Sequence, residues 1–225
     1  MDSKFRDRRE AGRALAHHLL AYASRHDVVV LALPRGGVPV AFEVAQSLHA
    51  PLDVFVVRKL GVPGHEELAM GAVGSGGAQL FNRDLIRDLQ LAPRAIDQVV
   101  AEETRELERR ERRYRGGKPF PTIAGKTIII VDDGMATGAT MLLAARALGQ
   151  DQPARLVVAV PVGSAEAVRL LGSAADQVVC LRQPQPFQAV GLWYDDFSQT
   201  TDEEVLALLE EARHAAELPL PLDRG

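Results

Sequence analysis

The sequence predicts an α/β fold built on an open, mainly parallel, twisted sheet that is flanked by helices. Through the second half of the chain, short apolar runs alternate with patterns of helical spacing. The runs are rich in valine and isoleucine and are too short for core helices, which is typical of strands buried on both faces of a parallel sheet. Repeated strand–helix units build sheets covered by helices on both sides. The length of 225 residues suits one such domain.

The first half of the chain is expected to add two strands, a hairpin and three helices. Asp7 is a suitable N-cap for the first helix, whose apolar residues recur at helical spacing. A cluster of glycines separates the two arms of the hairpin. In chain order we expect a helix over 7–24, a strand over 28–33, a helix around 38–48, a strand over 52–57, a polar loop over 58–65, hairpin strands over 69–73 and 78–81, and a helix over 93–115.

The second half follows a regular alternation of strands and helices. Here we expect strands over 127–131, 156–160 and 177–181, and helices over 137–148, 165–171 and about 202–214. The prediction is therefore one domain over 1–215, followed by a proline-rich, loose tail over 216–225.

The composition of the chain limits the binding partners and the compartment that we expect for it. A formal net charge of -4 gives no long-range attraction to nucleic acid. The single cysteine, Cys180, rules out an intramolecular disulfide and agrees with a reducing compartment. The first residues lack the apolar core of a signal peptide, and no apolar stretch is long enough to span a bilayer. We expect a cytoplasmic protein with no membrane and no nucleic-acid partner.

The chemistry is concentrated in one segment, IIIVDDGMATGAT, at 128–140. Asp132 and Asp133 follow a buried strand, so both carboxylates face the edge of the sheet where ligands bind. Two adjacent acids repel each other unless they engage hydroxyls or a cation. Gly134 allows a tight turn, and residues 136–140 then open a helix whose backbone N–H groups suit a phosphate. A phosphate beside a polyol, such as a ribose 5-phosphate, fits this arrangement.

Other interpretations of the segment account for less of it. A strand–turn–helix corner capped by Thr137 or Thr140 leaves the paired acids unexplained. A Walker P-loop is excluded because no lysine follows the glycine, and a dinucleotide fingerprint is excluded by the glycine spacing.

The segment closely resembles the motif with which type I phosphoribosyltransferases bind 5-phosphoribosyl-1-pyrophosphate (PRPP), and the resemblance extends over residues 28–197. It implies that Asp132 and Asp133 bind the ribose 2- and 3-hydroxyls. It also implies a small hood or flap subdomain, to which the N-terminal helix and the C-terminal loop contribute. The resemblance assigns five residues to the 5-phosphate loop: Ala136, Thr137, Gly138, Ala139 and Thr140.

Two further strand ends match the family in position. In the segment PRGG, Gly36 and Gly37 permit close backbone approach and Arg35 offers a charge-assisted fork to a diphosphate, although a surface turn is the alternative. Arg58 and Lys59 stand where the family carries a basic side chain on a mobile flap.

The C-terminal segment 187–196 also resembles the family, in which a corresponding loop stacks on the acceptor base. By position, Phe187, Trp193 and Tyr194 are candidates for stacking and Asp195 for the metal. The alternative is that Trp193 and Tyr194 are core residues beside the last strand. A metal cluster at 65–67, His-Glu-Glu, is disfavoured because consecutive residues rarely converge on one ion.

The resemblance implies a Mg²⁺-dependent transfer of the phosphoribosyl group to a nitrogen acceptor, with release of pyrophosphate, by a homodimer in nucleotide metabolism. Mg²⁺ would bridge pyrophosphate and ribose hydroxyls with few protein ligands. The catalytic set would be Asp132, Asp133, Arg35 and Lys59, which act by positioning and charge neutralisation. Ala136 replaces the acid found in enzymes for 6-oxopurines, which argues against hypoxanthine and guanine and leaves adenine, orotate or another amine open.

Two alternative functions are considered. A non-catalytic, PRPP-binding regulator of the same fold would present a basic face for nucleic acid, built from Arg105, Arg109, Arg112 and Arg113. Glutamates precede these arginines at helical spacing, which favours a solvated, neutralised face. A phospho-acceptor signalling domain would need a third acid near the first strand, and that strand ends in PRGG.

Overall fold

The computed structural model describes residues 4–217, which form a parallel sheet and a smaller antiparallel sheet. The eight strands within this range are β1 Val28–Ala32, β2 Leu52–Val54, β3 Val57–Val62, β4 His65–Gly74, β5 Ala78–Phe81, β6 Thr127–Val131, β7 Arg155–Val162 and β8 Gln177–Arg182. Five strands form the parallel sheet in the order β2-β1-β6-β7-β8. The other three form the antiparallel sheet in the order β3-β4-β5.

Helices cover both faces of the parallel sheet, as predicted. Within the described range they are α1 Arg8–His17, α2 Gly37–Leu48, α3 Arg83–Asp88, α4 Pro93–Arg115, α5 Ala139–Gly149, α6 Ala165–Leu171 and α7 Asp202–Glu217. Alternate residues of β6 point to opposite faces, so Ile129 packs in the core with α1, α2 and α7, while Ile128 packs in the core with α5 and α6. All five residues of β6 are buried, which explains the uninterrupted apolar run.

The strand order brings the chemically unusual segments together. β1 and β6 are neighbours in register, with Ala32 beside Val131, so the segments that follow these two strands meet at one edge of the sheet. β7 lies on the other side of β6, and its last residue, Val162, pairs with Arg182 of β8. The carboxyl ends of β1, β6, β7 and β8 therefore form a single edge, where open α/β sheets bind ligands.

We call the antiparallel sheet the hood sheet, and the helix α4 that follows it is fastened to the parallel sheet by Arg115. This side chain is 5% exposed, and its Nε donates to Asp53 Oδ1 at 2.9 Å. Its other nitrogens donate to Glu111 Oε1 and to the carbonyl of Val54, both at 2.6 Å. Since Arg115 ends α4 and Asp53 and Val54 belong to β2, this buried network holds the end of the helix beside the parallel sheet.

Several predicted boundaries were wrong. The helix expected over 7–24 ends at His17, and a 3-10 turn follows at Leu20–Tyr22. The strand expected over 52–57 is shared between two sheets, because β2 ends at Val54 and Val57 begins β3. The loop expected over 58–65 is mostly strand, since only the turn between Val62 and His65 leaves the ladder.

The later boundaries need smaller changes. α5 begins at Ala139 rather than at 137, and α3 was not predicted. The loose tail was expected from 216, but α7 continues to Glu217, and residues 218–225 lie outside the described part of the chain. Within residues 4–217, no helix combines the length and apolar character that a membrane crossing requires.

Candidate active site

The turn after β1 lies directly against the acidic pair after β6. A Cβ on Gly36 would overlap the Asp133 carboxylate, and a Cβ on Gly37 would lie 2.9 Å from the Asp132 Cα. Only glycine fits at these two positions, because any side chain would have to displace the acids or their backbone. The predicted pyrophosphate loop and the predicted ribose site therefore adjoin at one edge of the sheet, and we call the space in front of them the cleft.

Both acids resist ionisation. Burial, together with the neighbouring Asp133 charge, raises the pKa of Asp132 well above its usual range. Burial also raises the pKa of Asp133, although the Arg8 guanidinium opposes this shift. The Asp132 Oδ1 atom accepts a 2.8 Å hydrogen bond from the backbone N–H of Asp133, which fixes the first carboxylate. Desolvated carboxylates of this kind bind hydroxyl donors strongly.

Arg8, the first residue of α1, completes the acidic pair. Its Nε donates to Asp133 Oδ2 at 2.8 Å, and its Nη1 donates to the carbonyl of Ser198 at 2.7 Å. The guanidinium carbon also lies 4.0 Å from the ring centroid of Phe197. α1 reaches this position because Gly12 lets it pack tightly on α2, where a Cβ would lie 2.6 Å from the carbonyl oxygen of Val40. Arg8 thus holds one carboxylate in place and offsets its charge.

The loop before α5 presents backbone N–H groups to solvent. Its inner side is tied to the β7–α6 connection, because the Met135 N–H donates to the carbonyl of Val162 and the Ser164 hydroxyl donates to that of Ala136. Gly138 adopts a φ of 73°, which turns the chain into α5. Within residues 4–217, the N–H groups of the exposed residues Ala136 and Thr137 meet no hydrogen-bond acceptor. The loop therefore has the open donors that a phosphate dianion requires.

The three basic residues of the predicted site lie in two different parts of the structure. Arg35 is exposed at the turn after β1, where the Pro34–Arg35 peptide bond is cis. Arg58 and Lys59 do not lie in a loop at the end of a parallel strand but inside β3 of the hood sheet. Arg58 is anchored there, since its Nε donates to Glu103 Oε2 of α4 at 2.6 Å, whereas Lys59 is exposed.

The C-terminal segment closes one side of the cleft with Tyr194. This residue is 2% exposed, and its hydroxyl donates to the carbonyl oxygen of Asp133 at 2.6 Å. Its ring packs against Phe5 and Phe197, with centroid distances of 5.7 and 5.1 Å. The proposed stacking of Tyr194 on an acceptor does not fit this burial, and the core alternative describes its position. Burial and the Asp133 charge raise the pKa of its hydroxyl, so it remains a donor.

The other candidates in this segment remain accessible. Phe187 and Trp193 pack against the cluster of Phe5 and Tyr194 but are only partly buried. Asp195 is exposed, and its backbone N–H donates to the carbonyl of Phe5. In the part of the chain that the structure describes, no three His, Cys, Asp or Glu side chains converge as a metal cage.

The pairing of Arg8 with Asp133 and the contact that Tyr194 makes could not be read from the sequence. Arg8 is one of several arginines in a charged N-terminal stretch, and nothing in that stretch distinguishes it. The contact of the Tyr194 hydroxyl with the Asp133 carbonyl joins residues 61 positions apart. Both depend on α1 and the C-terminal segment meeting over the edge of the parallel sheet.

The fold and the cleft define an α/β protein of the predicted class, with an open five-stranded parallel sheet and a small hood sheet. The chain belongs to the phosphoribosyl transferase family, because the model of the phosphoribosyl transferase domain matches residues 6–190. The match covers β1, the acidic pair and the loop before α5, and it begins just before Arg8.

Individual relatives agree with this assignment. Two Mycobacterium tuberculosis proteins, Rv0571c of strain H37Rv and MT0597 of strain CDC 1551, have names that class them provisionally as phosphoribosyl transferases. Each is 51% identical over 211 residues, which is 92% of this chain and 47% of theirs, so the chain spans about half the length of the curated relatives it matches. The crystal structure of TT1426 from Thermus thermophilus is 46% identical, with a TM-score of 0.82 over 92% of this chain and 98% of that one.

Proposed function

We propose that the chain transfers the 5-phosphoribosyl group of PRPP to a nitrogen acceptor and releases pyrophosphate in a Mg²⁺-dependent reaction. The observation that carries this proposal is the contact between the glycine turn after β1 and the acidic pair after β6. A diphosphate held at Gly36 and Gly37 would lie beside a ribose held at Asp132 and Asp133, which matches the connectivity of PRPP.

Each part of the donor has a matching group in the cleft. Asp132 and Asp133 accept hydrogen bonds from the ribose hydroxyls, while Arg8 opposes the rise in the pKa of Asp133. The N–H groups of Ala136 and Thr137 and the start of α5 receive the 5-phosphate. Arg35, exposed at the turn, faces the pyrophosphate.

The reaction breaks the bond between ribose C1 and a pyrophosphate oxygen, and the electron pair leaves with the pyrophosphate. Bound Mg²⁺ would neutralise part of the charge on the leaving group. Arg35, and Lys59 when the hood closes, would add further positive charge. The acceptor nitrogen attacks the opposite face of C1 and then loses its proton. Since position 136 is alanine, that residue supplies no acid or base for the acceptor.

The regulatory alternative is not favoured by the helix that would carry it. Arg109 is paired with Glu106, and Arg113 is paired with Asp202 and Glu203. Two of the four arginines of the basic face are thus neutralised by neighbours of the same chain.

The test combines binding and turnover. Calorimetric titration of the wild type with PRPP and Mg²⁺ should show a single site, and the double variant Asp132→Asn with Asp133→Asn should bind at least about 100-fold more weakly, as expected when two charge-assisted contacts are lost. The matched control is Asp84→Asn with Asp88→Asn on exposed α3, which removes the same charge far from the cleft. Pyrophosphate release is then followed with a panel of nitrogen bases.

The outcomes separate the candidates. PRPP binding with pyrophosphate release for one acceptor supports the enzyme. PRPP binding without release for any acceptor favours the regulatory alternative, and equal PRPP affinity in the acidic-pair variant contradicts the proposed site. Sedimentation of the same samples measures whether the protein is the homodimer expected from the resemblance.

A further inference from the structure

Arg182 is a partly buried arginine whose guanidinium has no anionic partner among the described residues. Within residues 4–217, its Nη1 is the one buried side-chain nitrogen or oxygen that has no hydrogen-bond partner. No carboxylate of the described residues lies within ion-pair distance of its guanidinium. Burying part of a guanidinium without an acceptor is costly, so proteins usually pair such a group. An anion from outside the chain would remove this cost.

The position of Arg182 places it at the ligand edge of the parallel sheet. It is the last residue of β8 and pairs with Val162, whose carbonyl receives the N–H of Met135 in the loop after the acidic pair. Its own carbonyl accepts the N–H of Gly163. The backbone of Arg182 is therefore fixed, further along the same edge than the proposed PRPP site.

The side chain of Arg182 faces the cluster that closes the cleft. Its guanidinium carbon lies 3.6 Å from the ring centroid of Phe5, and Phe5 packs on Tyr194, whose hydroxyl is bonded to Asp133. Phe187 and Trp193, the accessible candidates for contact with the acceptor, pack against the same cluster. The unmatched charge thus lies beside the surface proposed for the acceptor, separated from the acidic pair by two aromatic rings.

The arginines near the cleft differ in whether they pair with a carboxylate of the described residues. Arg8 is neutralised by Asp133, and Arg58 is neutralised by Glu103. Arg182 is held in place by Phe5 but has no anion of its own among the described residues. A planar guanidinium with a free edge is best matched by a carboxylate, which accepts two parallel hydrogen bonds.

We propose that Arg182 recognises a carboxylate on the acceptor, so that the nitrogen compound used by this protein is an anionic one. This inference rests on the proposed phosphoribosyl transfer and names the substrate class of that site. The stack on Phe5 orients the guanidinium, and the carboxylate pairs with the part of this side chain that remains exposed.

The test compares acceptor probes that differ only in a carboxylate. Orotate is paired with uracil, and 2-aminobenzoate with aniline. Each probe is titrated calorimetrically into the protein in the presence of ribose 5-phosphate, which has no pyrophosphate to lose, so the readout does not depend on turnover. The variants are Arg182→Met and Arg182→Lys. The matched control is Arg155→Met, at the exposed, opposite end of the neighbouring strand β7.

In the wild type, at least one carboxylate probe should bind about 10-fold or more tightly than its neutral partner, as expected for one charge-assisted pair. Arg182→Met should abolish this preference, Arg182→Lys should keep part of it, and Arg155→Met should keep all of it. Near-ultraviolet circular dichroism of each variant checks that the aromatic cluster is intact.

Three results would overturn the proposal: no carboxylate probe binds the wild type, Arg182→Met keeps the preference, or Arg182→Met weakens both members of a pair equally. The last result would show that Arg182 only supports Phe5. Failure of the proposed function is seen separately, as absence of PRPP binding and of pyrophosphate release, whatever the probes show.

Discussion

Arg8 and Asp133 form a largely buried ion pair, with 2.8 Å between Arg8 Nε and Asp133 Oδ2 and only 11% and 15% of the two side chains exposed. The guanidinium offsets the negative charge of the Asp133 carboxylate. It leaves the second oxygen of Asp133 able to accept from a ribose hydroxyl. The acidic pair is therefore better suited to hydroxyls than to direct, high-charge coordination of a cation.

Replacing Arg8 by methionine should weaken PRPP binding about tenfold near neutral pH, the effect of losing roughly 1.4 kcal/mol. Without the guanidinium, the pKa of Asp133 rises further above its ordinary value. In the variant, Asp133 therefore becomes protonated at a higher pH than in the wild type, so the defect should grow as the pH falls from neutrality into the acid range. Calorimetry with PRPP and Mg²⁺ across this range measures it. Arg6→Met, which removes an exposed partner of Asp7, is the control, and a pH-independent defect would contradict the prediction.

Replacing Asp132 by asparagine should stabilise the ligand-free fold at neutral pH while it weakens PRPP binding. The pKa of Asp132 is raised in the folded state, so the charged form of this side chain opposes folding. The free energy of unfolding therefore falls as the pH rises from the unfolded-state pKa of about 4 to the raised folded-state pKa. Above the raised pKa it stays low. Asparagine keeps the oxygen that accepts from the Asp133 N–H. Thermal melts should show a rise of about 2–4 °C for each kcal/mol recovered, present at neutral pH and absent at acid pH. A lower melting temperature at neutral pH would count against it.

Replacing Gly36 by alanine should abolish PRPP binding and cost about 1–3 kcal/mol of stability, because the new methyl group overlaps the Asp133 carboxylate. Gly149→Ala is the matched control, since a Cβ there meets open space at the end of α5. That change should stabilise the protein by about 0.4–1 kcal/mol. Denaturant unfolding and PRPP titration of both variants provide the comparison, and equal behaviour of the two would refute the contact between the turn and the acids.

Replacing Tyr194 by phenylalanine should cost about 1 kcal/mol of stability and should also weaken PRPP binding, because the hydroxyl that fixes the Asp133 carbonyl is lost. Tyr22→Phe removes a hydrogen bond of the same 2.6 Å length, to Gln177 Oε1, far from the acids. Its stability should fall by a similar amount with PRPP affinity unchanged. If both variants keep full affinity, Tyr194 serves only the packing of the cluster.

The parts of the site that lie on one continuous segment were predictable. The thirteen-residue segment 128–140 contains most of β6, then Asp132 and Asp133, then the loop before α5. Because the strands are parallel, the ends of the neighbouring strands lie beside this segment. The strands of the five-stranded sheet were also predictable from local sequence. A strand buried on both faces has a continuous apolar run, which can be recognised without knowing which strands it pairs with.

The hood was harder to predict because its strands lack that pattern. β3 reads VRKLGV and alternates in burial only after Lys59, while Gly61, Pro63 and Gly64 suggest a loop. A register shift at Gly61 absorbs the irregularity, and only the pairing with β4 makes the segment a strand. Arg8 and Arg182 could not be singled out from the sequence. Arg8 is distinguished by its ion pair with Asp133, and Arg182 by the lack of a partner for its Nη1 among the described residues.

The backbone of the first described residues is joined to the C-terminal segment: Phe5 donates to Trp193, and Asp195 and Asp196 donate to Phe5 and Arg6. The longest of the contacts around the acids, from Arg8 to Ser198, spans 190 positions. During synthesis, the acidic pair therefore emerges long before the residues that close over it. We expect the parallel sheet to form first and the cleft to remain open and unable to hold its ligand until the chain beyond Ser198 has left the ribosome, so that binding competence is the last property this domain acquires.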